Sequence, residues 1–272
     1  MLKRIIIAAI ACPIIYFIIM FENPYPLYVL ITVAFTMGLN EMYNMFDNKS
    51  LGTFRYFGIA AVLAGYALII YKNDPVYMFY ALVILVITLL STILITKNIE
   101  RDMPRTINTI FPFAYVGALG SFAILLRQLP NGNYWIFSLM MFTWIYDGGA
   151  YFTGVAFGKH KLIPELSPKK TVEGFIGGIL VNVAAAVILK YTIFPLFFPL
   201  FPLHHLIILA VLLAFTGQVG DIAESVVKRY TGVKNSSSLL SEMGGIMDKI
   251  DSTLFNAPIL YLYIKIFIKQ VT

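Results

Sequence analysis

Long apolar runs, separated by short polar breaks, fill most of the chain. A bilayer core takes about 20 apolar residues per helix, and nine runs near that length follow one another, at roughly 5–22, 27–46, 54–71, 75–96, 107–127, 133–157, 172–199, 204–227 and 252–268. They are apolar on all sides, unlike the alternating strands of a membrane barrel, which run to about 10 residues. The pattern therefore predicts an all-α, polytopic transmembrane helical bundle of about nine helices. The last run is short and opens on charged residues, so its start is expected in protein or water. The first run imitates a signal peptide, with Lys3 and Arg4 before Ile5 to Ala11, and Ala9-Ile10-Ala11-Cys12 resembles a lipoprotein cleavage site. Its apolar character continues through Pro13 to Phe21, long enough to span, so a retained first helix is expected.

Composition agrees. The chain is 59% hydrophobic and 12% charged, where soluble domains carry about 25% charged residues. Its lone cysteine, Cys12, excludes an internal disulfide and reads as a small hydrophobe. The formal charge of +6 would suggest nucleic acid in a soluble protein, but its distribution points elsewhere. With the N-terminus inside, 15 of the 20 Lys and Arg fall on inner loops and only Lys72, Arg127, Lys190, Lys265 and Lys269 lie toward the outside. That is the positive-inside bias of a protein in the cell (inner) membrane, with membrane lipid and no nucleic acid as its surroundings. The expected outer loops are minimal, and polar residues concentrate in two inner stretches, 158–174 and 228–251. Residues 1–130 are thus expected to supply lipid-facing helices of structural or interface role, and 131–272 the helices that carry a site facing the cytoplasm. Glu41, alone among the early runs, reads as a carboxylate near a helix end.

Ionisable groups inside a membrane are costly and usually functional. Asp221, Glu224, Ser225 and Lys228 recur at i, i+3, i+4 and i+7, one face of a helix. Asp248 and Asp251 form a second pair at i, i+3, preceded by Gly244 and Gly245, which let a backbone or phosphate approach closely. Carboxylates with no clustered Cys or His suit a hard, oxygen-preferring cation such as Mg²⁺. Between them, Lys228, Arg229 and Lys234 with the hydroxyls of the 230–240 stretch have the makings of a polyphosphate site. Asp147 lies inside its helix, about 10 residues or ~15 Å from the inner end, and needs a cation or basic partner there. Ser167, Lys169, Lys170 and Thr171 precede the next run, so their hydroxyls and amides are expected at a helix N-terminus, which favours phosphate. Gly174, Gly177 and Gly178 permit close helix packing.

The stretch Ser225-(3)-Arg229-(4)-Lys234 followed by Gly244-Gly245-(2)-Asp248-(2)-Asp251 resembles the C-terminal signature of phosphatidate cytidylyltransferases, the CDP-diacylglycerol synthases. Gly220-Asp221-(2)-Glu224-Ser225 matches as well. So do Ser167-Pro168-Lys169-Lys170-Thr171-(1)-Glu173-Gly174 and the series Asp147, Ala150, Tyr151, Gly154, Gly158-Lys159. The likeness covers about residues 140–252. The chain departs from it at Asn235, where the family has Asp, at Ser241-Glu242-Met243, where it has Pro-Gly-His, and at Lys249, where it has Arg.

The resemblance implies a Mg²⁺-dependent transfer of a cytidylyl group from CTP to phosphatidic acid, with a second cation possible and a homodimer as the family's assembly. It implies Asp221 and Asp248 as cation ligands assisted by Asp251 or Glu224. Lys228, Arg229, Lys234 and Asn235 would lie at the CTP phosphates, with Ser225 on a phosphate oxygen. Ser167, Lys169, Lys170 and Thr171 would hold the phosphate end of CTP or the lipid headgroup, and Asp147 would face the same cavity. Two alternatives stand beside this reading. An ion-coupled transporter of an anionic substrate would use Asp147 and Asp221 for its ion, but requires polar lining on both halves of the membrane. A CDP-alcohol phosphatidyltransferase would share the Asp147-Gly148 start, but the Ala-Arg and spaced aspartates of that family are missing.

Overall fold

The computed structural model describes residues 12–198, 200–239 and 244–268. Residues 1–11, Ser241-Glu242-Met243 and Lys269 lie outside them, and with them the leader-like start and one of the departures noted above. The chain is almost wholly helical: α1 (residues 12–20), α2 (Tyr25–Asn48), α3 (Arg55–Lys72), α4 (Val76–Thr96), α5 (Ile99–Pro112), α6 (Leu119–Gln128), α7 (Gly132–Phe157), α8 (Val172–Thr192), the single turn α9 (Phe194–Phe197), α10 (Leu203–Thr231) and α11 (Met247–Phe267).

Five helical stretches among the described residues are long and apolar enough to cross a membrane: Arg55–Lys72, Val76–Thr96, Ile99–Gln128, Val172–Thr192 and Leu203–Thr231. The expected nine are not reached. The helices α2, α7 and α11 are long enough but interrupted by polar groups, among them Asn40, Glu41, Asn44 and Asp47 in α2, Asp147 in α7, and Asp248, Lys249 and Asp251 in α11. The all-α expectation holds but for one short hairpin. Lys161–Ile163 (β1) and Ser167–Thr171 (β2) pair antiparallel, with Lys161 opposite Thr171 and Ile163 opposite Ser167. Strands of three and five residues give no periodic signal to read.

The described residues form two compact units, one within 1–128 and 227–250 and the other within 129–226 and 251–272. In the first, α3 and α4 end on left-handed Asn73 and Lys97. Asn98 then caps α5, accepting from the Arg101 amide at 3.1 Å. Pro112 has no amide to give, and the helix widens into a π turn, Phe113–Ala118, before continuing as α6. Gly117 and Gly120 there lie against Val62 and Tyr66 of α3, and the Tyr66 hydroxyl donates to the Gly117 carbonyl at 3.0 Å. In the second unit, α7 and α8 pack closely through Gly149, Gly154, Gly174, Gly177 and Gly178. Buried amides cross-link its helices: Asn256 of α11 donates to Thr143 Oγ1 of α7 at 2.9 Å and accepts from Thr216 of α10 at 2.5 Å, and Asn182 of α8 donates to the Ala210 carbonyl at 2.8 Å.

Candidate functional site

Two groups of polar residues emerge, one in each unit. In the second unit a cavity of about 520 Å³ opens between α7, the β hairpin, the start of α8 and α10. The helix α7 supplies Tyr146 and Asp147; the hairpin supplies Lys161, Lys169, Lys170 and Thr171; α10 supplies Gln218 and Asp221. Five residues expected from the sequence thus line one space. Lys170 Nζ lies 2.5 Å from Asp221 Oδ2, with the side chains 22% and 36% exposed, so this ion pair remains open to exchange with solvent or ligand. Asp147 and Lys169 are exposed. Thr171 is buried, and its hydroxyl is used as the N-cap of α8, accepting from the Gly174 amide at 3.1 Å. Such a cap is worth about 1 kcal/mol. Glu173, in the first turn of α8, accepts from the amides of Lys159 and His160 and so ties the entrance of the hairpin to the helix.

Close to Asp221 on α10, Glu224 and Ser225 are buried. Gly220 leaves room for the Asp251 carbonyl, where any Cβ would collide. Asp251 lies in the negative field of Asp221, Glu224 and Asp147. These acids concentrate negative charge and offer only oxygen donors, which suits a hard divalent cation. No set of three or more carboxylate, imidazole or thiol groups at metal-ligand spacing occurs among the described residues, so the fit is one of donor chemistry and charge.

The first unit holds the other group. It is built from α2, the last turn of α10, the connection after it and the start of α11. The helix α10 ends at left-handed Gly232, with the Val233 amide donating to the Lys228 carbonyl at 2.9 Å. Lys228 Nζ donates to Asp248 Oδ1 at 2.7 Å, each side chain only 13% exposed. The other oxygen, Oδ2, accepts from the Ser236 amide at 3.0 Å, the Ser236 hydroxyl at 2.8 Å and the Gly245 amide at 2.8 Å. Burial pushes the Asp248 carboxyl up, and the Lys228, Gly245 and Ser236 donors together hold it below the usual carboxylate range. Gly244 has φ +84°, and a Cβ there would strike Asp248; one on Gly245 would strike Ser236 and Glu41. The space that the two glycines leave is taken by protein carboxylates.

Glu41 is the residue that sequence reasoning passed over. It is 6% exposed and accepts four hydrogen bonds: from Ser236 Oγ at 2.9 Å, Ser237 Oγ at 2.6 Å, the Ile246 amide at 3.0 Å and the Met247 amide at 2.9 Å. Its partners lie about 200 positions away, and its one signal in the sequence was a carboxylate within a long, mostly apolar run. Arg229, Lys234 and Asn235 are exposed, and Ser167 is half-buried on β2; none of the four lines the 520 Å³ cavity.

Another cavity, larger than the first, belongs to neither group. A space of about 890 Å³ in the first unit lies between the α2–α3 connection and α5. Its three arginines are engaged, Arg55 with Asp47 at 2.6 Å and Arg101 and Arg105 with Asp102 at 2.7 and 3.4 Å. Two aspartates thus hold three guanidinium groups there, and none of the residues expected from the sequence lines this space.

Comparison with known proteins gives the family. The model of the cytidylyltransferase family matches residues 2–267. The chain is 31% identical to a phosphatidate cytidylyltransferase of Bacillus subtilis (strain 168), over 98% of each chain. It is 29% identical to one of Staphylococcus aureus (strain COL), over 93% of this chain and 95% of the other, and 37% identical to one of Staphylococcus haemolyticus over 63% and 64%. This integral membrane protein, with its charged cavity and its clamped α10–α11 connection, belongs to the cytidylyltransferase family.

Proposed function

We propose that the chain transfers a cytidylyl group from CTP to phosphatidic acid, releasing pyrophosphate and CDP-diacylglycerol. The observation that carries this reading is the cavity itself, which unites Asp147, Lys169, Lys170 and Asp221 from three separate parts of the sequence. In the reaction, a phosphate oxygen of phosphatidic acid attacks the α-phosphorus of CTP. The bond from that phosphorus to the oxygen bridging toward the β-phosphate breaks, and pyrophosphate departs. The nucleophile is already anionic at neutral pH, so no general base is required. The protein must align two anions and neutralise the charge that accumulates between them.

Lys161, Lys169 and Lys170 supply cationic donors from the hairpin. Lys170, on the exposed ion pair, exchanges Asp221 for a phosphate oxygen when substrate enters. Asp221, with Glu224 and Asp251, would hold Mg²⁺, which supplies further neutralisation of phosphate charge when bound; a second cation would find its remaining oxygen donor in Asp147. The bias of Lys and Arg toward the loops that flank these residues supports a site facing the cytoplasm from the cell membrane, in a bundle of as many as nine spans.

The test is product formation from labelled CTP and phosphatidic acid by the purified protein in detergent micelles, with and without Mg²⁺. CDP-diacylglycerol formed only with the divalent ion supports both the reaction and the cation. Product formed equally in chelator would remove the cation, and no product under any cation would remove the reaction.

A further inference from the structure

The carboxylate of Glu41 has no part in the chemistry above, yet it is among the best satisfied side chains of the first unit. A buried carboxylate is costly unless hydrogen-bonded donors surround it. Glu41 meets that cost with two serine hydroxyls from the α10–α11 connection and two backbone amides at the start of α11. Those amides lie at the N-terminal end of α11, on the residue before it and on its first residue, where negative charge is favoured. One side chain of α2 therefore fixes both ends of the segment that precedes Asp248.

The link to Asp248 runs through Ser236. Its Oγ lies 2.9 Å from Glu41 Oε2 and 2.8 Å from Asp248 Oδ2. A hydroxyl has one hydrogen to donate, so it serves one carboxylate at a time, and a change at either is felt by the other. The Ser236 amide donates to the same Asp248 oxygen, and Asp248 Oδ1 holds Lys228. Gly245 threads between the two carboxylates, where no side chain fits. The chain of contacts Glu41–Ser236–Asp248–Lys228 is continuous.

We propose that Glu41 is a positioning residue for cytidylyl transfer: acting through Ser236, it sets the placement of the Asp248–Lys228 pair and so the capture of the nucleotide's phosphates. This inference rests on the proposed reaction and adds to it: Lys228 stands seven positions after Asp221 on the same face of α10, and is assigned here to the phosphates of CTP. A merely structural acid would lower stability alone. A positioning acid changes CTP binding in a protein that is still folded.

The test uses the full chain in micelles, with Glu41→Gln, Ser236→Ala, the double variant and Ser237→Ala. Loss of a hydrogen bond to a charged group corresponds to about a 10-fold or larger change in binding. Glu41→Gln is expected to raise the KM for CTP by about that factor, with kcat within a few-fold and the KM for phosphatidic acid unchanged. The double variant is expected to be little worse than the poorer single one, because both cut the same chain of contacts. Ser237→Ala, which removes a donor to Glu41 but touches no atom of Asp248, is expected to have the smaller effect of the two serine changes. Hydrogen exchange of the peptide covering 244–250 should quicken in Glu41→Gln, whether or not the protein is active.

An unchanged KM for CTP in folded Glu41→Gln, or fully additive costs in the double variant, overturns the proposal. If Glu41→Gln does not fold, the serine variants decide: equal effects of Ser236→Ala and Ser237→Ala overturn it. An inactive wild type with normal exchange differences would remove the reaction and leave the coupling of Glu41 to the α11 start in place.

Discussion

The two polar groups treat their carboxylates in opposite ways. In the 520 Å³ cavity, Asp221 has a single lysine at 2.5 Å and more than a third of its side chain exposed. In the clamp, Asp248 and Glu41 draw on seven donor groups between them, with the Ser236 hydroxyl in reach of both, and little of either reaches solvent. An exposed, singly paired acid can change partners when a ligand arrives. A saturated one cannot do so without losing several hydrogen bonds at once. The same residue type thus marks a place for exchange in one unit and a fixed point of the fold in the other.

Substitutions separate the two roles. The largest expected effect is at Asp221→Asn, which keeps the shape of the side chain and removes its charge from the cavity. Activity with CTP should fall about 100-fold or more, the scale seen when a stabilising group at a reacting centre is lost, while the unfolding temperature stays near that of the wild type. Gly245→Ala should do the reverse at first sight, acting on stability. Its Cβ collides with Ser236 and Glu41, and overpacking of this kind costs about 1–3 kcal/mol, read as a lower unfolding midpoint in a thermal melt. Lys170→Met is expected to be milder, raising the KM for CTP or phosphatidic acid about 10-fold by removing one charge-assisted bond. If Lys170→Met instead unfolds the protein while Gly245→Ala is harmless, the assignment of exchange and clamp is inverted.

The smallest effect is a dependence on acid. The Asp248 carboxyl titrates below its usual range in the folded protein. A carboxyl lowered by folding contributes stability above its unfolded value, and that contribution is lost as pH falls through the folded value. The clamp should therefore be at full strength at neutral pH and weaken only below about pH 4. Thermal melts of wild type and Asp248→Asn across this range are expected to converge at the acid end. A gap that stays constant with pH would mean that the charge of Asp248 contributes nothing.

Much of this was readable from the amino-acid order, because much of it is local. Apolar runs report helices directly, and Asp147, Lys169, Lys170, Thr171 and Asp221 all reached the cavity they were expected to share. What escaped is nonlocal or too short to be periodic. The β hairpin places Lys161 and Lys170 in the cavity, but its strands of three and five residues carry no repeating pattern. Glu41 and Ser236 are 195 positions apart, so no spacing rule joins them. The hydroxyl-rich connection after α10 read as a phosphate site, whereas Ser236 and Ser237 spend their hydroxyls on protein carboxylates. Five of the expected spans stand out among the described residues; α2 and α7 are long, but the polar groups that make them interesting also reduce their apolarity.

Photolabelling with an azido derivative of CTP, followed by peptide mapping, tests the placement of the reaction most directly. Label is expected on the peptides spanning Lys161–Thr171 or Gln218–Asp221, removed by excess CTP and reduced in Lys170→Met. Label confined to the larger cleft of Arg55, Arg101 and Arg105, competed by CTP and indifferent to Lys170, would contradict it.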